Sequence, residues 1–219
     1  MARRYVVPKK NKRPIIIIAS EGEGRNTEKC YFGNFSKNGL RIKFSTGGST
    51  DPKGMVDDLI NYMHNIDAKS EDYIRTFLVL DTDLSEKRIS EIKEIEQKCK
   101  DNNIEIITSA PTFEIWFLMH FRNNKLKFLT SKDVKRELEK INGTYSETMD
   151  MYNKIKNQTD DARSTAQSIE QQIIKDGEDL LKSNPHSSVY KILDAIDEFN
   201  HIVNISENII RALVVKLED

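Results

Sequence analysis

The sequence lacks the features that mark disulfide-rich, zinc-finger and membrane proteins. Only two cysteines occur in 219 residues, Cys30 and Cys99, and they are far apart. Their number and spacing exclude a disulfide framework and a zinc-finger ligand set. No apolar run approaches the roughly 20 residues of a membrane-spanning helix, and the run at 15–19 is too short for a signal-peptide core. We therefore expect a cytoplasmic protein that does not enter a membrane.

The composition suits a folded protein with a charged surface. Hydrophobic residues make up 37% of the chain and charged residues 32%, so a core can form beneath a charged exterior. A length of 219 residues fits one large domain, or a domain with a smaller appendage. We find no internal repeat and no low-complexity segment.

Charge is distributed unevenly along the chain. Residues 1–13 contain six basic and no acidic residues, whereas the whole chain has a net charge of −1, so the remainder carries −7. A basic arm (residues 1–13) ahead of an acidic body can bind the phosphates of nucleic acid. A disordered tail that keeps the protein soluble explains the same composition. Both interpretations remain open.

The hydrophobic pattern of the first half predicts an α/β fold. Strand-like segments alternate with segments of helical spacing, and Asp51-Pro52 is a strong helix start because a cap precedes a proline at the first helical position. This order predicts a mostly parallel sheet flanked by helices. The predicted strands are 15–18, 41–45, 77–80 and 104–108. The predicted helices are 28–37 with Thr27 as its cap, one from residue 52 onward, and 86–101.

The pattern changes after Pro111. Residues 113–121 are apolar nearly all round, which indicates a buried helix or strand. Beyond residue 127 we predict helices and no strand, at about 130–141, 148–157, 160–182, 187–199 and 201–217. The predicted organisation is therefore the basic arm, an α/β domain over residues 14–124, and a helical C-terminal region over residues 125–219 that packs on it.

Acidic residues follow two of the predicted strands. Asp81 and Asp83 come directly after the apolar run at 77–80, and Glu21 follows the first strand. Because sites in parallel sheets lie beyond the carboxyl ends of the strands, these three carboxylates are expected at one edge. Hard cations such as Mg²⁺ or Mn²⁺ favour such oxygen ligands. Capping of the helix that begins near Ser85 is the alternative role for either aspartate.

Two further glutamates are possible additions to this site. Glu114 follows the fourth strand, but a buried structural carboxylate paired with Arg or Lys explains it as well. Glu28 lies in the first turn of a predicted helix, where the helix dipole favours an acid without any functional role. The dipole explanation is the one we favour for Glu28.

Several motifs are spread in order along the chain. They are Glu21-Gly22-Glu23 with Thr27-Glu28, Asp81-Thr82-Asp83, the segment 109–116, Tyr152-Asn153-Lys154 and the segment 184–189. Together these motifs resemble the RloB-type proteins, and the resemblance extends from about residue 14 to residue 200. In this chain the first acidic loop is longer than usual, and Lys29 stands where the family usually has proline.

The resemblance implies a TOPRIM-like domain in which particular acidic residues have separate chemical roles. In such domains the glutamate after the first strand takes part in acid–base chemistry and the Asp-x-Asp pair binds Mg²⁺. By position, these roles fall on Glu21, Asp81 and Asp83. The resemblance also implies a nuclease acting on DNA or RNA in antiphage defence, with an ATPase as a partner protein.

Two other functions fit parts of the sequence. Phosphatases of the haloacid-dehalogenase type also use an Asp-x-Asp motif, but there it usually follows the first strand, and Glu21 would be unexplained. A non-catalytic module that docks to a defence ATPase would not need the carboxylates. The presence of all three expected carboxylates counts against this second alternative.

Overall fold

The computed structural model describes residues 14–21, 24–36, 39–66, 73–121 and 127–218, with side chains up to residue 205. The predicted basic arm lies outside the described residues. The strands are β1 Ile15–Ala19, β2 Arg41–Phe44, β3 Ile74–Asp81, β4 Ile104–Ala110 and β5 His186–Ser187. The helices are α1 Thr27–Phe32, α2 Pro52–Asn65, α3 Glu86–Asp101, α4 Glu114–Met119, α5 Ser131–Asn142, α6 Tyr152–Ile155, α7 Thr159–Lys175 and α8 Tyr190–Glu218.

These strands form one sheet in the order β2-β1-β3-β4-β5. The β1, β2, β3 and β4 strands run parallel, whereas β5 pairs antiparallel with the end of β4. The prediction of a mostly parallel α/β sheet flanked by helices, followed by a helical C-terminal region, is confirmed. The prediction of no strand beyond residue 127 is wrong, because the two-residue β5 comes from the C-terminal region and extends the sheet.

Each face of the sheet buries a separate apolar cluster. Side chains alternate between faces along a strand, so Ile16 and Ile18 join one cluster whereas Ile15 and Ile17 join the other. The second cluster includes the apolar sides of α2 and α3. The first includes residues of α1, α4, α5, α7 and α8. β1 and the central part of β3 are therefore buried on both faces, as their unbroken apolar runs predict.

Helix α4 lies at the centre of the first cluster. All six of its residues are buried, and Trp116 has no exposed surface. The same cluster contains Phe77 of β3, Leu138 of α5 and Ile192 of α8. The predicted α/β domain and C-terminal region thus share one hydrophobic core.

Several helix ends differ from the predicted ones. Asn26, and not Thr27, caps α1, because its side chain accepts a hydrogen bond from the Lys29 amide. Helix α1 ends at Phe32 and continues only as a 3-10 turn to Phe35. In place of the two predicted helices 187–199 and 201–217 there is one continuous helix, α8, which begins at Tyr190. Asp51 caps α2 ahead of Pro52, as predicted. No described helix has the length and apolar character needed to span a membrane.

Candidate metal centre

The carboxyl ends of β1, β3 and β4 meet at one edge of the sheet. Ala19 at the end of β1 pairs with Leu78 of β3, and Asp81 at the end of β3 pairs with Ser109 of β4. The Thr82 amide also donates to the Ser109 carbonyl, so hydrogen bonds between β3 and β4 continue to the ends of the two strands. The loops that carry the predicted site residues therefore leave the sheet side by side.

One carboxylate oxygen of Asp81 has a hydrogen-bond partner, and the other has none among the described residues. Its Oδ2 lies 2.9 Å from the hydroxyl of Thr112, in the loop after β4. Its Oδ1 is buried and has no hydrogen-bond partner among the residues that the structure describes. Burial, followed by the negative charges of Glu28 and Glu114, raises the pKa of Asp81 well above its usual value. A cation at Oδ1 would supply the missing partner.

Asp83 is exposed and lies in a strained turn. Asp83 and Leu84 both have positive φ angles, of 50° and 53°. Such a left-handed conformation costs roughly 1–3 kcal/mol for a non-glycine residue and persists where its surroundings enforce it. Here the Asp83 amide donates to the Pro111 carbonyl, and Ser131 Oγ donates to its carboxylate. The charge of Asp83 is a further cause of the raised pKa of Asp81.

Glu114 is a buried carboxylate surrounded by donors. Its Oε1 accepts from the Tyr145 hydroxyl at 2.7 Å and from the Thr27 hydroxyl at 3.4 Å. Its Oε2 lies 2.6 Å from the Thr112 hydroxyl, and Lys135 Nζ is 3.7 Å from Oε1. Of the two roles open from the sequence, the geometry favours the structural carboxylate, with Lys135 as its paired cation.

Glu21 is turned toward a cation on α3. It forms an ion pair with Arg88, whose side chain is only 12% exposed. The guanidinium group also donates to the backbone carbonyls of Asp81 and Thr50. Arg88 therefore links the loop after β1 to the end of β3, which places Glu21 beside the backbone of Asp81.

Glu28 lies close enough to Glu114 and Asp81 for their charges to interact. Burial raises its pKa to about 7, and the nearby charges of Glu114 and Glu147 act in the same direction. Its own charge is the second cause of the raised pKa of Asp81. The helix-dipole explanation of Glu28 is therefore incomplete, because the carboxyl group also lies near Asp81 and Glu114.

We expect Glu28→Gln to raise the melting temperature in metal-free buffer, increasingly so as the pH rises. Because the folded pKa lies above the usual value of 4.5, wild type loses stability between pH 4.5 and about pH 7 relative to the variant. At 1.36 kcal/mol per pKa unit the upper limit is about 3 kcal/mol. Thermal denaturation of both proteins from pH 4.5 to 8 measures the difference, and a constant difference across this range would contradict the prediction.

The donor set at this edge suits a hard divalent cation. Its groups are carboxylates, and the Asp81 Oδ1 atom is both buried and unpartnered within the described part of the chain. No group of three His, Cys, Asp or Glu side chains in that same part is already arranged as a metal site. Glu21, Asp81 and Asp83 stay the predicted metal ligands. Of these three, Glu21 forms an ion pair with Arg88.

The structure adds residues that the sequence analysis missed. Thr112 was part of a recognised motif but had no assigned role, and Arg88 and Lys135 were indistinguishable from other charges on helix faces. Three other basic residues, Arg163, Lys191 and Lys154, have partners within the C-terminal region. Arg163 pairs with Asp194 and Asp197, and Lys191 pairs with Glu170. Lys154 donates to Asn142 and to Met149.

Fold and site together define an α/β protein with an acidic cluster at the carboxyl edge of its sheet. A family model described as RloB-like protein matches residues 16–196. The chain belongs to the RloB-like protein family. No match was found among curated proteins or among solved structures.

Proposed function

We propose that this protein is a Mg²⁺-dependent nuclease of the TOPRIM type that acts in antiphage defence together with an ATPase. The observation that carries the proposal is the buried, unpartnered Oδ1 of Asp81 at the end of β3. Membership of the RloB-like family supports the defence context. The ATPase partner is proposed from the resemblance of the sequence motifs alone. Mn²⁺ is the alternative cation, since its preference for oxygen ligands is similar.

Asp81 and Asp83 would hold the cation, and Glu21 would assist proton transfer. When bound, Mg²⁺ would polarise the scissile phosphate and lower the pKa of a coordinated water. Thr112 fixes one oxygen of Asp81 and leaves the other directed away from that contact. The Glu21 oxygen that pairs with Arg88 would have to leave it before exchanging a proton. This would free one guanidinium nitrogen for a phosphate oxygen, because the others donate to the carbonyls of Asp81 and Thr50.

A cleavage assay tests this function. Wild type would be incubated with single- and double-stranded DNA and RNA in Mg²⁺, in Mn²⁺ or in EDTA, with and without a candidate partner ATPase. We expect cleavage only with a divalent cation. Asp81→Asn removes the proposed ligand, and Asp101→Asn is the matched control because Asp101 is exposed at the opposite edge of the sheet.

Protection of cells against phage separates this proposal from the docking-module alternative. A nuclease requires Glu21, Asp81 and the ATPase for protection. A docking module requires the ATPase but tolerates Glu21→Ala and Asp81→Ala. Protection by both variants at the wild-type level, with no cleavage in any of the assays, would replace the nuclease by the docking module.

We expect deletion of residues 1–13 to weaken nucleic-acid binding and to flatten its dependence on salt. Each phosphate group that the basic arm neutralises should contribute roughly 0.7–0.9 to the slope of log K against log salt. Fluorescence anisotropy between 50 and 300 mM salt measures this slope for the full and shortened chains. An unchanged slope would show that the basic arm is a solubilising tail.

A further inference from the structure

The Glu114 carboxylate is held by hydrogen-bond donors and by an ion pair from separate parts of the fold. Thr27 begins α1, Lys135 lies on α5, and Tyr145 lies in the segment between α5 and α6. The Glu114 side chain is only 3% exposed. A carboxylate held in this way moves little, because any displacement would leave several buried groups without partners.

Thr112 lies directly between this fixed carboxylate and Asp81. Its hydroxyl oxygen is 2.6 Å from Glu114 Oε2 and 2.9 Å from Asp81 Oδ2. Thr112 is only 4% exposed, so water does not readily compete for these contacts. Because the hydroxyl has a single proton, it donates to one of these carboxyl groups and accepts from the other when that group is protonated. In either arrangement it connects the fixed Glu114 to one oxygen of Asp81, while Oδ1 has no partner within the described residues.

We infer that Thr112 is a positioning residue, which Glu114 holds in place and which sets the orientation of Asp81 for cation binding. The inference rests on the proposed metal centre and deepens it. Outer partners that orient a metal ligand typically contribute about 10–100-fold to metal affinity. Thr112 need not touch the cation or the substrate in order to have this effect.

The test is a calorimetric titration of the metal-free protein with Mn²⁺. We expect Thr112→Val, which keeps the shape and removes the hydroxyl, to weaken Mn²⁺ binding about 10–100-fold. Thr112→Ser restores the hydroxyl and should bind within a few-fold of wild type. Thr76→Val is the matched control, because Thr76 is also buried but lies five residues before Asp81 in β3. Thr112→Ala takes the place of the valine variant if circular dichroism shows that the latter is unfolded.

The outcomes distinguish this inference from the proposed function. If Asp81→Asn loses Mn²⁺ binding but Thr112→Val binds like wild type, the positioning role is wrong and the metal centre stands. If Thr112→Ser is as weak as Thr112→Val, the weaker binding reflects packing and the positioning role is again wrong. Wild-type affinity in Asp81→Asn would reject the metal centre and this inference together.

Discussion

The Asp81→Asn variant is expected to cleave in Mg²⁺ at a rate at least about 100-fold lower than wild type, without a loss of folding stability. Removal of one preorganised group that stabilises developing charge typically costs about 10²–10³-fold in rate. Asn keeps an oxygen for the Thr112 hydroxyl, so the hydrogen bond at Oδ2 can persist. The melting temperature in EDTA should be equal to or above that of wild type, because a buried charge among Glu28, Glu114 and Asp83 is removed.

Initial cleavage rates and melting temperatures, measured on the same protein preparations, decide this prediction. Initial cleavage rates over a range of Mg²⁺ concentrations separate weaker metal binding from slower chemistry. The control Asp101→Asn should cleave at the wild-type rate, since Asp101 is an exposed residue at the end of α3. Undiminished cleavage by Asp81→Asn at every Mg²⁺ concentration would refute a role for Asp81 in catalysis.

Trp116→Ala is expected to destabilise the whole protein in a single transition. Truncation of a buried tryptophan costs about 3–5 kcal/mol. A change of 1 kcal/mol shifts the melting temperature by about 2–4 °C in a chain of this size, so the decrease should be roughly 6–20 °C. Trp116 is fully buried in a cluster that contains both sheet and C-terminal residues, so neither region should keep its stability.

Calorimetry with a second variant checks this shared core. Trp116→Phe retains an aromatic ring beside His120, whose ring lies 4.8 Å from that of Trp116, and should cause a smaller decrease. Two separate transitions in Trp116→Ala, with one at the wild-type temperature, would show that residues 14–124 and 125–219 fold independently.

The local pattern of the sequence predicted most of the first half of the fold. Unbroken apolar runs indicated β1 and β3, because a strand covered on both faces buries every side chain, whereas β2 was indicated by its alternation of polar and apolar residues. The Asp51-Pro52 pair indicated the start of α2, since its effect depends on adjacent residues only. The two-residue β5 carried no such pattern, because it is too short for a periodicity and pairs with a part of β4 that lies 78 positions earlier in the chain.

The amino-acid sequence by itself determined the family, the mostly parallel direction of the first four strands and the edge at which Asp81 and Asp83 emerge. These properties depend on motifs and on hydrophobic periodicity, which are local. Only the tertiary structure decided that Thr112 connects Asp81 to Glu114, that Arg88 pairs with Glu21 and that Lys135 approaches from α5. Such contacts join residues distant in the chain, and hydrogen bonds and ion pairs form by proximity in space, which local sequence patterns do not specify.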